Sequence, residues 1–362
     1  MNSEDLTPDV FAPSARRGQC RIVLAVLCFS CLAFASDPQY LPAKEVRSQF
    51  LRLLERPRIP LAPQSSIAER EGLLEENGSF ASQAGERVPF LMVKQVTARR
   101  LPVVIVLHGT GGNKEGQLPL LKQLAGRSFI GFAMDGRFHG ERVGAATAGK
   151  KQYEEAIIRA WREKNPSKQE HPFYYDTVWD LWRALDYLQM RSDVDGNRIG
   201  AIGFSKGGIE LWLGAADERI KVAIPAISVQ SFRWSLENDQ WQGRARTIAQ
   251  AHEAARQDLN EAEINQRVCR ELWRKVIPGI LDEFDCPSMI RLFAPRPLLI
   301  LSGDKDPNCP LAGAKIAMDA AREAYRAAGK PDQIEINVAT GVAHRVTPDQ
   351  MTLAVQWFEK WL

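Results

Sequence analysis

The sequence predicts an α/β protein with a mainly parallel sheet, helices on both faces and an inserted helical lid. Short apolar runs that read as strands alternate with helical periodicities from residue 89 onward, the pattern of a parallel sheet with helical crossovers. Several of those runs, Pro102–Leu107 and Leu298–Leu301 among them, are continuously apolar, as strands covered on both faces must be. Between the strand run Arg198–Ile202 and the helical run Gly208–Leu213 stands Gly203-Phe204-Ser205-Lys206-Gly207. A serine flanked by glycines at a strand-to-helix junction marks a turn so tight that side chains are excluded from it. Such a turn lifts the hydroxyl above the sheet and sets it beside a helix N-terminus, whose partial positive charge favours a developing anion.

The strand candidates, in order, are Phe90–Val96, Pro102–Leu107, Phe129–Met134, Ile199–Phe204, Val222–Ile227, Leu298–Leu301 and Ile334–Val338. Helix candidates lie between them. Val178, Leu181, Trp182, Leu185 and Leu188 recur at helical spacing before the serine strand, and Leu311–Ala328 is alanine-rich and stops at Gly329 with Pro331 following. The tail Met351–Leu362 sets Leu353, Val355, Trp357, Phe358 and Trp361 mostly on one face. The stretch 230–293 has little strand character and reads as the helical lid inserted into the sheet domain. In it Asn260-Glu261-Ala262-Glu263 has the form of a capping box, followed by Ile264, Val268, Leu272 and Val276 until Pro278. Phe232, Trp234 and Trp241 are candidate walls of a substrate pocket beneath the lid, with plain lid-to-sheet packing as the alternative. Residues 36–88 are rich in Pro, Gln, Glu and Arg, with a possible helix around Val46–Leu54, and read as an arm packed on a main domain at 89–362.

With 362 residues, 45% hydrophobic and 25% charged, the chain has an ordinary globular composition. Its 47 basic and 44 acidic residues are interspersed, which leaves no basic stripe for nucleic acid. The N-terminus departs from this balance. Arg16, Arg17 and Arg21 precede an apolar run at 22–35 that ends in Ala33-Phe34-Ala35. Residues 1–35 therefore fit a secretory signal peptide. The run is short for a membrane span, and a membrane role would require 22–35 to act as an uncleaved anchor. Acidic residues Glu4, Asp5 and Asp9 in the leader argue against a signal, as does the odd set Cys269, Cys286 and Cys309 outside it. Unpaired thiols suit the cytoplasm, so the secretory and cytoplasmic readings stand side by side. The sequon Asn77-Gly78-Ser79 would be used only in the first of them.

A serine hydroxyl is a poor nucleophile and needs a base, which needs an orienting acid. After Leu298–Leu301 come Ser302-Gly303-Asp304-Lys305-Asp306-Pro307, and after Ile334–Val338 comes Gly341-Val342-Ala343-His344. Both follow strand ends, where sites form in parallel sheets. Ser205, Asp306 and His344 thus stand in nucleophile, acid, base order, with Asp304 as the fallback acid. The oxyanion site should come from backbone amides. The loop His108-Gly109-Thr110-Gly111-Gly112 follows Pro102–Leu107, and its small residues let substrate approach Gly109. The amides of Thr110 and Lys206 are the candidate donors, with His108 structural. In the polar loop Asp135–Arg142, Arg137 or Arg142 is a candidate for a substrate carboxylate, with an internal ion-pair network as the alternative. The side chain of Lys206 reads as solvated, or as a source of local positive potential. Neither GxxxxGK[ST] nor GxGxxG is present in this loop, and nothing in the sequence calls for a metal or organic cofactor.

On these residues the segment 89–362 resembles the α/β-hydrolase superfamily, and within it the dienelactone hydrolase, acetyl xylan esterase and prolyl oligopeptidase-like branch. The resemblance rests on His108–Gly112, Asp135–Arg137, Ile199–Gly208, Gly303–Asp306 and Gly341–His344. It departs from dienelactone hydrolase in having Ser205 where that enzyme uses cysteine, and the chain is too short for an oligopeptidase propeller. The resemblance implies the α/β-hydrolase fold and cleavage of small or medium acyl esters through an acyl-enzyme, with a small-molecule ester as the partner. Competing expectations are a peptidase or amidase using the same residues, and a non-catalytic ligand receptor on the same fold.

Overall fold

The computed structural model describes residues 40–144 and 149–362; the signal peptide or anchor expected at 1–35 lies outside them. In chain order the elements begin with α1 (Ala43–Leu54), β1 (Gln64–Arg70), β2 (Leu73–Gln83), β3 (Glu86–Gln95) and β4 (Leu101–Leu107). There follow α2 (Leu118–Ala125), β5 (Ile130–Met134), α3 (Gly149–Arg162), α4 (Tyr175–Met190), β6 (Val194–Phe204), α5 (Lys206–Leu213) and β7 (Val222–Ala226). The insertion carries α6 (Phe232–Glu237), α7 (Gln242–Arg246), α8 (Ala249–Asp258), α9 (Gln266–Val276) and α10 (Cys286–Ile290). The chain closes with β8 (Leu298–Gly303), α11 (Leu311–Ala327), β9 (Ile334–Ala339) and α12 (Pro348–Trp361).

One nine-stranded sheet has the order β1-β2-β3-β5-β4-β6-β7-β8-β9. From β5 to β9 neighbouring strands are parallel, while β1, β2 and β3 join antiparallel at one edge. Alternation along each buried strand feeds two apolar layers. Val103, Ile105 and Leu107 of β4 face the layer that holds α1, α4, α5 and the insertion. Val104 and Val106 face the layer built on α2 and α12. Burial on both faces is why these strands are continuous apolar runs in sequence.

The sheet begins at Gln64, not at residue 89 as expected. β1 is exposed along its whole length and β2 carries Glu75, Glu76, Asn77 and Ser79, so neither shows an apolar run. Turn geometry builds this edge instead. Glu71 and Gly72 both have positive φ (54° and 75°) and connect the paired Arg70 and Leu73, a two-residue turn whose twist matches that of the strands it joins. A polar, exposed edge strand also resists pairing with other chains. The helix of the arm is present as α1, which buries Val46, Phe50 and Leu54. Phe50 meets Tyr175, Trp182 and Phe284 at centroid distances of 5.3, 6.1 and 5.0 Å.

The segment 230–293 is helical, but its expected cap is misplaced. Asn260 has φ 56° just after α8, so it ends that helix in the left-handed region. Asn265 caps α9, accepting from the Val268 N–H at 3.0 Å. A capping box does occur at α12, between Thr347 and Gln350, a few residues before the expected start of that helix. Among the described residues no helix is long and apolar enough to cross a membrane. Cys269, Cys286 and Cys309 are free and buried.

Candidate active site

The loops leaving β4, β5, β6, β7, β8 and β9 emerge at the carboxyl edge of the parallel strands, so residues far apart in sequence share one rim. At the end of β6, Ser205 is the N-cap of α5 with φ 52° and ψ −111°. A non-glycine residue in that region costs on the order of 1–3 kcal/mol and persists only where surrounding packing imposes it. Here the packing is explicit. A Cβ on Gly203 would lie 2.2 Å from the Gly207 carbonyl oxygen, and one on Gly207 would lie 2.3 Å from that of Leu107. The glycines let strand, turn and helix meet at backbone contact, and the Ser205 N–H donates to Ala226 O on β7 at 2.9 Å.

Ser205 Oγ lies 2.8 Å from His344 Nε2, and His344 Nδ1 lies 2.7 Å from Asp306 Oδ2. The other carboxylate oxygen of Asp306 accepts from the N–H groups of Asn308 (2.8 Å) and Cys309 (3.1 Å). Asp306 is 3% exposed, which keeps water from competing for the imidazole, while Ser205 and His344 are half-buried and open to a ligand. Asp304 is occupied elsewhere: its carboxylate accepts from the Gly341 N–H at 2.7 Å, tying the acid loop to the histidine loop. The two loops touch again at Gly303, where a Cβ would sit 2.3 Å from Val342 O.

The Gly109 loop runs beside the serine, with the Gly109 Cβ position 3.4 Å from Phe204 O and 3.6 Å from Ser205 Cβ. Gly111 takes φ 78°, and the Gly112 N–H closes a turn on Gly109 O at 3.0 Å. Thr110 lies inside that turn, and the Lys206 N–H is at the first position of α5, where no intrahelical acceptor exists. His108 holds the loop from below. Its Nε2 accepts from the Gly136 N–H at 3.0 Å, so Nδ1 carries the proton toward Gly109 O at 2.8 Å. Burial, with Lys206 nearby, pushes its pKa down to about 3 and keeps the ring neutral.

Several expected residues have other duties. The Lys206 side chain is not solvated: it is 1% exposed, bonded to Glu210 and set 5.6 Å from the Tyr153 ring. Burial pushes Glu210 up to about 7. Arg137 is sealed in an ion-pair network, donating to Asp180 at 2.8 and 3.1 Å, and Arg142 bridges Asp180 (2.6 Å) and Glu86 (2.5 Å). Neither guanidinium is left for a substrate carboxylate. Asp135 braces the same loop through the N–H groups of Lys114 (2.8 Å) and Glu141 (3.0 Å). Phe232 is fully buried against Trp273 at 5.5 Å and cannot wall an open pocket. Trp234 packs over Gly313 of α11. Trp241 donates to Asp239 at 2.9 Å and lines a surface cavity of about 590 Å³ with Ile264 and Arg270. A second groove, about 680 Å³, lies between α1 and α4; neither is lined by Ser205, Asp306 or His344.

Donor atoms of Asp306, Cys309 and His344 lie within 4.8 Å of one another, yet they do not form an available metal set. The carboxylate and imidazole are spent on each other, and burial pushes the Cys309 thiol up to about 12, so it is protonated rather than a thiolate ligand. Sequence reasoning missed Gly243, Arg244 and Gln230, which surround the acid loop; a lone glycine and arginine in a helical insertion carry no motif.

The parallel sheet, the elbow at Ser205 and the Ser-His-Asp hydrogen-bond chain build the α/β-hydrolase fold, with the geometry of a candidate serine-hydrolase site at its rim. Comparisons with known proteins agree. Residues 77–233 match the family model described as acetyl xylan esterase (AXE1), and residues 165–329 match that described as glucuronyl esterase of fungi. "Putative hydrolase YtaP" of Bacillus subtilis (strain 168) is 26% identical over 88% of this chain and 99% of its own length. "Putative esterase YitV" of the same organism is 24% identical over 78% of this chain and 98% of its own length. The fold is also similar to the crystal structure of acetyl xylan esterase 1 from Thermoanaerobacterium sp. JW/SL YS485. The TM-score is 0.64 at 18% identity, over 90% of this chain and 95% of that one.

Proposed function

We propose that this protein is a serine carboxylester hydrolase in which Ser205 is the nucleophile, His344 the general base and acid, and Asp306 the orienting carboxylate. The observation that carries the reading is the unbroken hydrogen-bond chain from Ser205 Oγ through His344 to Asp306, at 2.8 and 2.7 Å. The esterase descriptions of both matching family models support it.

In the acylation step Ser205 Oγ attacks the ester carbonyl carbon as its proton passes to His344 Nε2. The carbonyl oxygen gains negative charge, for which the N–H groups of Thr110 and Lys206 are the proposed donors. The imidazolium is stabilised across Nδ1 by the Asp306 carboxylate. Collapse of the tetrahedral adduct breaks the bond to the alcohol, which takes the proton from His344. Water then attacks the acyl-enzyme with His344 as base, and the acid leaves with Ser205 regenerated. Small and medium acyl groups fit this reading, and the descriptions of the two matching family models point to esters carried on carbohydrate.

Labelling with a fluorophosphonate and mapping the modified peptide tests the nucleophile without the natural substrate. Label on Ser205, together with a kcat loss of roughly 10⁶ in Ser205→Ala, is expected. An unlabelled, folded protein would overturn the reading. Faster turnover of aminoacyl amides than of nitrophenyl esters would replace it with the peptidase alternative.

A further inference from the structure

Behind Asp306 lies a layer contributed by the helical insertion. Gly243 of α7 meets the acid loop at backbone contact: a Cβ there would sit 1.9 Å from the Pro307 carbonyl oxygen. The next residue, Arg244, is 2% exposed and makes no ion pair with a carboxylate among the described residues. Burying a guanidinium in that way is costly unless its donors are used. They are used on the Tyr174 side chain and on the acid loop. Arg244 donates to Asn308 O at 3.2 Å and to Cys309 Sγ at 3.4 Å. Gln230, with its amide turned to satisfy both ends, donates to Asn308 O at 2.6 Å and accepts from Arg244 Nε at 3.0 Å. Cys309 Sγ in turn points to Ile227 O, 3.4 Å away at the end of β7.

Asn308 and Cys309 are also the residues whose N–H groups hold Asp306 Oδ1. Arg244 therefore grips the outer, carbonyl and thiol side of the two residues whose inner side fixes the carboxylate. Burial works against its charge, and Tyr174, Cys309 and Asp306 together more than offset that, raising its pKa. Its guanidinium also lies 5.7 Å from the Phe232 ring.

We propose that Arg244, seated by Gly243, is a positioning residue that holds the 306–309 loop, so that the helical insertion sets the orientation of Asp306 toward His344. This inference rests on the serine hydrolase reading and extends it from the three site residues to the insertion. Charge and forked donors near a carbonyl are needed, and bulk alone does not supply them.

The test compares fluorophosphonate labelling rates of Ser205, and kcat and KM on a nitrophenyl ester, in the full chain and three variants. Arg244→Met keeps volume but removes the donors. Labelling and kcat are expected to fall about 10²-fold, the scale of an ångström-level misplacement, with KM within about threefold. Arg244→Lys, which keeps the charge, should recover part of that loss. Gly243→Ala keeps Arg244 but forces α7 off Pro307, and should slow labelling in the same direction. If Arg244→Met does not fold, the other two variants decide. Parental labelling in the folded variants overturns the proposal, even if their melting temperature falls. So does a rise in KM with kcat unchanged, which would make Arg244 a substrate contact. A folded parent that takes no label overturns the hydrolase reading itself, and this inference with it.

Discussion

Asp304 and Asp306 stand two residues apart on one loop, and their hydrogen bonds separate them. Asp306 faces His344, whereas Asp304 holds the Gly341 N–H. An Asp306→Asn variant is expected to lose about 10⁴ in kcat, because the amide favours the wrong imidazole tautomer. Asp304→Asn keeps an oxygen that can accept from Gly341 and should retain activity within about tenfold. Steady-state kinetics on one ester distinguish the two, and a reversed order would move the acid role to Asp304. Lys206 combines two functions at one position. Its backbone N–H opens α5, while its side chain pairs with Glu210 in the interior. Replacing it with Met removes the partner of Glu210, whose buried carboxyl, already raised to about 7, then protonates; the expected cost is that of a lost buried partner, about 1–3 kcal/mol, measured by urea unfolding. From sequence the side chain read as solvated, because nothing local indicates that the helix beneath the elbow is sealed by Tyr153 and Gly136.

At the scale of elements, the turn after β6 is specified by backbone contact and the β2–β3 turn by conformation alone. Gly207→Ala would drive a Cβ into Leu107 O, whereas a Cβ on Gly85 meets nothing within 4 Å, although its φ is 77°. Gly85→Ala should therefore cost only about 1–2 kcal/mol, through its left-handed backbone. Gly207→Ala should cost about 1–3 kcal/mol from overpacking and also slow Ser205 labelling. Thermal unfolding together with labelling checks both, and normal labelling in Gly207→Ala would contradict the account of the elbow. Strands buried on two faces, such as β4 and β8, were legible because their residues must all be apolar. The β1–β2 hairpin was not, because an exposed edge leaves composition free and only Glu71 and Gly72 mark it. The helix after α8 was legible from its Val268, Leu272, Val276 spacing, but its cap was not. Asn260 and Asn265 are the same residue type five positions apart, and the chain's path decides which of them ends a helix and which begins one.

For the whole molecule, three sealed histidines tie stability to pH. Burial is the first cause of the lowered pKa at each: about 3 for His108, about 2 for His139 and about 4 for His252. Unfolded histidine titrates near 6.5, so below that pH the unfolded chain binds protons that the native one refuses, and stability falls as pH falls. Each histidine is expected to contribute up to about 1.4 kcal/mol per pH unit between roughly pH 6 and its folded value. The histidine share of the urea midpoint should therefore decline from pH 7 to 4, opposed by Glu210 and Asp285, which burial raises to about 7 and about 6 and which take up protons in the native state over that window. His252→Gln should flatten that decline, since His252 sits between Ile248 O and the Trp273 N–H, both at 3.1 Å, outside the proposed site. An unchanged slope would mean that the ring takes up its proton at the same pH in the native and unfolded states, and would overturn this account.

The alternation of strand and helix, the glycine-flanked serine, and the nucleophile, acid, base order can all be read along the chain. Those features are written in local patterns, as two-sided burial, turns that exclude side chains, and strand ends. Which acid faces His344, the use of Arg137 and Lys206 in internal ion pairs, and the place of Arg244 behind Asp306 emerge from the assembled fold. Each of these depends on which groups become neighbours when the sheet closes. A charged side chain has the same identity in water or sealed against a partner, and only packing selects between the two.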